Sequence, residues 1–338
     1  MLNNNNNNNN YNNGYFFCYP IRIFNNIIKI LVISFLLLFF SFTIHNVLVF
    51  GQKSDSSSQF VGESDYEYIN IVTVGDFYCN DETEKTIENI ISIDPELIIT
   101  TGDHVKDERT AKCWIEMSEE IKDKMKIAIG NHDRDSSKIY KQITRNHNIT
   151  SPYYSYNFKN IHFISLSTEH PFEEESKQYE FIKNDLEKVS KNPNVDWIIV
   201  HNHKSLYSTR NDKDDAEELR KTYHSLFEKY NIDLVISSHN QYYERTYPLL
   251  YNHEDDEEPI VMDNSESIYY NTDGIIFLTV GTAGDELHDI SDKEDYYIIQ
   301  KERYGFLNLK LENNGKTIVG EFHTNKGKIL DNFELTKS

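Results

Sequence analysis

From residue 68 onward, short apolar runs that break on a small or polar residue alternate with stretches of helical periodicity. Tyr68 to Val74, Leu97 to Thr101 and Met125 to Ile129 are such runs, as are Asp196 to His201 and Asp233 to Ser237. Each is too short for a stable helix and carries β-branched residues, which marks a buried strand. The helical stretches between them are Thr83 to Ile93 (stopped before Pro95), Cys113 to Ile121, Glu174 to Ser190 and Asp214 to Tyr230. Alternation of this kind builds parallel units, whose functional residues collect beyond the carboxyl ends of the strands. Tyr153 to Phe158 and His162 to Ser167 read as a hairpin around Lys159 and Asn160. The carboxyl third is strand-rich, with runs at Gly274 to Val280, Gly305 to Leu311, Thr317 to His323 and Lys328 to Leu335. The pattern predicts an α/β fold bordering on α+β: one αββα sandwich of two mixed sheets flanked by helices, occupying residues 67–338.

The residues immediately beyond these strands constrain chemistry more than the strands themselves. Gly75-Asp76, Gly102-Asp103, Gly130-Asn131-His132-Asp133, His201-Asn202-His203 and His239-Asn240-Gln241 stand at successive strand ends. Hard oxygen donors and imidazoles gathered there suit one or two metal ions. A lone Gly-Asp pair would mean nothing; five fragments in order constrain the chain strongly.

The first 66 residues have a different character. Residues 1–26 contain an unbroken asparagine tract, Asn3 to Asn10, with too little apolar surface to offset its ordering entropy, so disorder is expected. Ile27 to Phe50 is apolar except for Lys29, Ser34, Ser41, Thr43, His45 and Asn46. That is long enough for a bilayer core, which needs ~20 residues. Arg22 and Lys29 flank its amino-terminal side and no acidic residue does, which favours a cytosolic amino terminus. Residues 27–50 are therefore either an uncleaved signal anchor or a signal peptide cut near Gly51. Either sends the remainder into the secretory pathway, as a type II membrane-anchored or a secreted protein. Residues 51–66 form a Ser/Gln/Asp linker.

All 55 acidic residues lie beyond residue 50, and the chain carries a net charge of −21. Such a surface repels nucleic acid and anionic membrane, so no nucleic-acid partner is expected and membrane contact runs only through the amino-terminal segment. Cys79 and Cys113 are the cysteine pair of the folded part, and an oxidising compartment permits a bridge between them. Asn148-Ile149-Thr150 is a glycosylation sequon.

Thr101-Gly102-Asp103, Ile129-Gly130-Asn131-His132-Asp133, Tyr243-Glu244-Arg245-Thr246-Tyr247-Pro248 and the late turn Val280-Gly281-Thr282-Ala283-Gly284 together resemble the calcineurin-like metallophosphoesterase superfamily, and within it the purple acid phosphatase branch. The resemblance spans roughly residues 68 to 285. It implies a hydrolase for phosphoesters, monoesters above all, acting on a phosphorylated small molecule or a phosphoprotein. The family holds two adjacent metals and attacks phosphorus with a metal-held hydroxide. Carried over by motif, Asp103 bridges the metals, and Asn131, His203 and His239 complete one shell with it. Asp76 belongs to the other shell. His132 contacts the substrate, and Asp133 orients it or caps a turn. The family's tyrosine three residues after the bridging aspartate is Lys106 here, and its histidine two after His239 is Gln241. His104 and Gln241 are candidate substitute ligands, and Lys106 and Lys204 candidate phosphate contacts. One or two divalent ions (manganese, zinc or iron) are implied, and no organic cofactor. The alternative is a catalytically impaired pseudophosphatase that keeps one metal or a phosphate-binding cleft.

Overall fold

The computed structural model describes residues 68–134, 136–209, 213–290 and 294–338. Segments 1–26, 27–50 and 51–66 lie outside the described residues. Among those described, no helix is long and apolar enough to cross a membrane.

The strands predicted from the apolar runs, joined by three that the sequence reading does not contain, pair into two seven-stranded mixed sheets. In the first, β1 (Ile69–Val74), β2 (Leu97–Thr100) and β3 (Met125–Ile127) run parallel. An antiparallel set completes it: β14 (Gly305–Glu312), β15 (Thr317–Thr324) and β16 (Ile329–Thr336), with the short β11 (Ile268–Tyr270) at the edge. In the second sheet β5 (Ile161–Ser165), β6 (Trp197–Lys204), β7 (Leu234–Ser238) and β12 (Ile276–Val280) are parallel. The antiparallel strands β4 (Tyr154–Phe158), β8 (Tyr243–Thr246) and β13 (Tyr297–Lys301) flank them. Two short strands, β9 (Leu249–Leu250) and β10 (Ile260–Val261), pair only with each other.

Apolar side chains of both inner faces form one core, with Ile71, Ile99, Phe163, Ile199, Leu278 and Phe322 all buried. Two further clusters lie under the helices on the outer faces. Helices α1 (Asp81–Ile93), α2 (Glu108–Ser118) and α4 (Ser137–Asn146) cover Val72 and Ile98 of the first sheet, with Trp114 of α2 buried in the same cluster. A single helical turn, α3 (Asn131–Arg134), stands just beyond β3. Helix α5 (Lys177–Val189) and the pair α6 (Lys213–Leu219) and α7 (Ser225–Lys229) cover Val200 and Val235 of the second sheet. The order helix, sheet, sheet, helix is the expected sandwich. Because strands buried on both faces have no polar side, they read as continuous apolar runs, which is why they were legible.

The helices differ from expectation in three places, the first being α4, a ten-residue helix absent from the expected set. Helix α2 starts at Glu108, not near Cys113, because Asp107 caps it: its Oδ1 accepts the N–H groups of Arg109 and Thr110. Asp107 is therefore a helix cap. The predicted helix from Asp214 to Tyr230 is interrupted by a π turn at Arg220–His224. Cys113 thus sits inside α2, where it is disulfide-bonded to Cys79 in the loop after β1.

Strand β8 corrects a local expectation. Glu244 and Arg245 are neighbours in sequence, and the obvious reading is an ion pair. Successive strand residues face opposite ways, so they cannot meet. Arg245 instead grips Asp331 with two hydrogen bonds of 2.7 and 2.8 Å. Glu244 accepts from Thr209 and Gln300 on the other face.

Candidate metal centre

The carboxyl ends of β1, β2, β3, β6, β7 and β12 meet at one edge of the sandwich. Backbone bonds lock the two sheets together there: Gly75 N–H donates to Val280 O and Ala283 N–H to Gly75 O. Ser238 Oγ donates across to Thr101 O at 2.6 Å. Asp76, Asp103 and His239 all adopt left-handed backbone, with φ of 60°, 49° and 68°. That region is costly for residues with a Cβ, and strain of this kind clusters at functional sites. Each residue turns back at its strand tip and aims its side chain into the gap between the sheets. Gly130 is required by the same crowding, since a Cβ there would lie 2.1 Å from Asp103 Oδ1.

Asp103, His203 and His239 bring one ligand atom each to within 4.8 Å of one another. His203 Nε2 lies 2.9 Å from Asn131 Oδ1, 3.3 Å from Asp103 Oδ2 and 3.2 Å from His239 Nδ1. Its other nitrogen, Nδ1, faces Thr101 O at 2.9 Å, which fixes the ring with Nε2 toward the cluster. The chemistry of this donor set, one carboxylate, one amide oxygen and two imidazoles, fits a divalent transition ion.

The electrostatics point the same way. Burial opposes the charge on Asp103, but His203 beside it and His132 hold its carboxyl down to about 2. Burial likewise opposes charge on His203, yet Asp103, with Asp76 beyond it, pushes the imidazole up to about 10. Burial, reinforced by cationic His203, drives His239 down to about 3. A proton thus sits among groups that would otherwise surround a cation.

Several expected residues lie elsewhere. Asp133 does not orient His132: its carboxylate takes the backbone N–H and Nδ1 of His104, both at 2.8 Å, and the N–H of Gly130. His104 is no substitute ligand, because Nδ1 is held by Asp133 and Nε2 by Thr100 Oγ1 at 2.6 Å, deep beside Trp114. The pair buttresses the loop from behind. His132 stands at the rim, its backbone N–H bonded to Asp103 Oδ1 and its side chain one-third exposed. His201 is buried near the rings of Tyr154 and Tyr156, away from the cluster, and burial drives it down to about 3. Lys204 is paired with Asp215 at 2.6 Å and Glu169 at 3.7 Å. Asn148 is exposed in a left-handed turn after α4.

Asp76 and Gln241 fall into a second group beside the first. Gln241 Nε2 donates to Asp76 Oδ1 at 3.2 Å and to Asp285 Oδ2 at 3.3 Å. Lys106 Nζ meets Asp285 Oδ1 at 2.7 Å. Sequence reasoning missed Asp285. The signal was the turn Val280 to Gly284 just before it, which folds back so that Asp285 N–H donates to Asp76 O. Burial pushes Asp76 up to about 6, His203 working against it.

A sequence profile of calcineurin-like phosphoesterases matches residues 69–243. Among curated relatives, a probable inactive purple acid phosphatase 27 of Arabidopsis thaliana is 24% identical over 87% of this chain and 50% of its own length. Acid phosphatase type 7 of Mus musculus is 29% identical over 53% of this chain and 44% of its own. The chain spans about half the length of these relatives. Among solved structures, the purple acid phosphatase PPD1 of yellow lupin superposes with a TM-score of 0.67 at 20% identity, covering 81% of this chain and 54% of that one. That likeness extends to the fold.

Proposed function

Because this chain belongs to the calcineurin-like phosphoesterase family, we propose that it is a metal-dependent phosphoester hydrolase acting on phosphomonoesters, carried by a small molecule or a protein. One observation carries this reading: Asp103, Asn131, His203 and His239 converge on a single point, with His132 at its rim. These four would hold a manganese, zinc or iron ion. The chemistry such an ion supplies when bound is Lewis-acid charge on a phosphoryl oxygen and a lowered pKa for water.

The chain's own residues do the rest. Asp103 stays ionised and supplies full negative charge to the cation. Thr101 O and Ser238 orient His203, so ligand geometry is set before any ion arrives. His132, anchored through its backbone and open to solvent, is placed to donate a proton to a leaving-group oxygen. Lys106 and Lys204 are already paired with carboxylates, so phosphate would be met by the ion and His132. One phosphoryl group suits that supply; a polyanion does not.

The test is hydrolysis of an aryl phosphate by the full chain after chelation and re-addition of manganese, zinc or iron. Activity should return with the ion and vanish in Asn131→Ala. No turnover with any of the three would sink the reading.

A pseudophosphatase is the second reading, favoured by the Gln241 amide that contacts Asp76 where an additional ligand is expected. It requires phosphate binding by titration with no hydrolysis. We also propose that residues 27–50 deliver residues 67–338 to the lumen or exterior. The Cys79–Cys113 bridge and exposed Asn148 suit that compartment. A glycosidase-sensitive mass shift, lost in Asn148→Gln, would check the placement.

A further inference from the structure

We infer that half of this centre is closed by the chain's own groups, so that each chain binds one divalent ion and not two. The inference rests on the metal-centre reading above for the position of that ion, and goes beyond it in fixing the number.

The Asp76 carboxylate is fully buried, and both its oxygens are occupied by N–H donors. Oδ2 accepts the backbone N–H of His239 at 2.8 Å, and Oδ1 accepts Gln241 Nε2. The same amide nitrogen bridges to Asp285, itself only 4% exposed. The second oxygen of Asp285 carries the Lys106 ammonium. Lys106 Nζ also lies 5.6 Å from the centre of the Tyr78 ring, which favours the cation at that position. The chain of contacts is therefore carboxylate, amide, carboxylate, ammonium, with each carboxylate oxygen matched to a donor.

A second dication has no open place in this arrangement. To ligate one, Gln241 would have to turn its oxygen inward. That would set the oxygen against the carboxylates of Asp76 and Asp285, acceptor facing acceptor, and forfeit two hydrogen bonds. The Lys106 ammonium would then repel the incoming ion across a partly buried gap, where charges are poorly screened. Releasing Asp285 from Lys106 would leave a buried carboxylate held only by the neutral N–H groups of Gln241 and Glu286, a cost that the partial exposure of Lys106 keeps modest. The two-ion centre implied by the family does not fit these residues; a one-ion centre with a tethered ammonium does.

The experiment is metal stoichiometry on the purified full chain, dialysed against manganese alone or zinc alone and measured by elemental analysis. Manganese electron paramagnetic resonance supplies a second readout. The wild-type chain should hold one equivalent, with the spectrum of an isolated ion, and Asn131→Ala should hold none. The double variant Lys106→Tyr, Gln241→His should hold two, with a spin-coupled spectrum. Should it fail to fold, Gln241→His alone keeps the question answerable through the same spectrum, with a second weakly coupled ion expected. Two equivalents in the wild-type chain would overturn this inference and leave the hydrolase reading standing. A folded double variant that still holds one would overturn it too. No bound ion in the wild-type chain would overturn both.

Discussion

The two halves of the centre are built from the same kinds of strand tips and end in opposite electrostatic states. Around Asp103, acceptor atoms crowd one another: an amide oxygen, a carboxylate and a second imidazole all lie within 3.3 Å of His203 Nε2. The His132 backbone N–H takes one Asp103 oxygen, and a proton or a cation relieves the crowding at His203. Around Asp76 every carboxylate oxygen has an internal donor, and the lysine supplies a permanent charge. One half is organised for a cation from outside, and the other carries its own. Few substitutions are needed to move a site from the first condition to the second, because the strand scaffold is common to both.

The largest expected effect attacks the first half. Asn131→Ala removes the amide oxygen next to His203, and hydrolysis should fall by ~10³-fold, the upper end for one lost stabilising group, together with loss of the bound ion. A variant that lost activity but kept its ion would show that Asn131 acts on substrate and not on the metal. His132→Ala should be milder, about 10²-fold in kcat, the lower end of general acid catalysis. Its ion stoichiometry should stay at the wild-type value, which separates a rim residue from a ligand.

Glu244 sharpens the comparison from outside the centre. It is buried and receives only neutral donors, Thr209 and Gln300 among them, and burial pushes it up to about 7. Asp76, also given neutral donors, moves the same way, whereas Asp103 beside cationic His203 moves down. For Glu244 the sign is that of a carboxyl with a raised folded-state pKa. Its contribution is fully present below the unfolded value near 4.5 and is lost as pH rises through about 7. The difference amounts to about 3 kcal/mol across that window. Glu244→Gln should flatten stability against pH between these limits, measured by urea melts, and should leave ion binding unchanged. A slope that survives the substitution would show that neutral donors alone do not define how a buried carboxylate behaves here.

The sequence disclosed the donor half of the centre more fully than the closed half. Asp103, Asn131, His203 and His239 each end a strand, and the strands were visible as apolar runs, so their meeting followed from topology. Asp76 was found in the same way. Its surroundings were not, because they depend on which side chains turn inward from loops. Lys106 and Lys204 looked like free cations, since nothing local identifies Asp285, Glu169 or Asp215 as their partners. Asp285 is 209 residues from Asp76, and only the fold-back of the Gly281 to Gly284 turn makes them neighbours. His104 and Asp133 were misjudged for a related reason: a histidine beside a ligand aspartate reads as functional until its two nitrogens are seen to be taken. Helix α2 was clipped because its cap, Asp107 with Thr110, precedes the apolar residues that announce the helix.

The smallest expected effect bears most directly on the contrast between the halves. Lys106→Met removes the ammonium but keeps most of the length of the side chain, leaving Asp285 held by the Gln241 amide and the backbone N–H of Glu286. Lys106 is itself 37% exposed, so solvent screens part of its interaction, and the loss in the chelated protein should be about 1 kcal/mol rather than the roughly 3–5 of a fully buried pair. Added manganese should then stabilise the variant more than the wild-type chain, because an ion that binds only the folded state raises the melting temperature by mass action. In the wild-type chain the ammonium already satisfies Asp285, and the ion acts through the Asp103 half alone. Equal gains in melting temperature for the two proteins would mean that Lys106 does not stand in for a cation, and the two halves would then differ in geometry but not in charge.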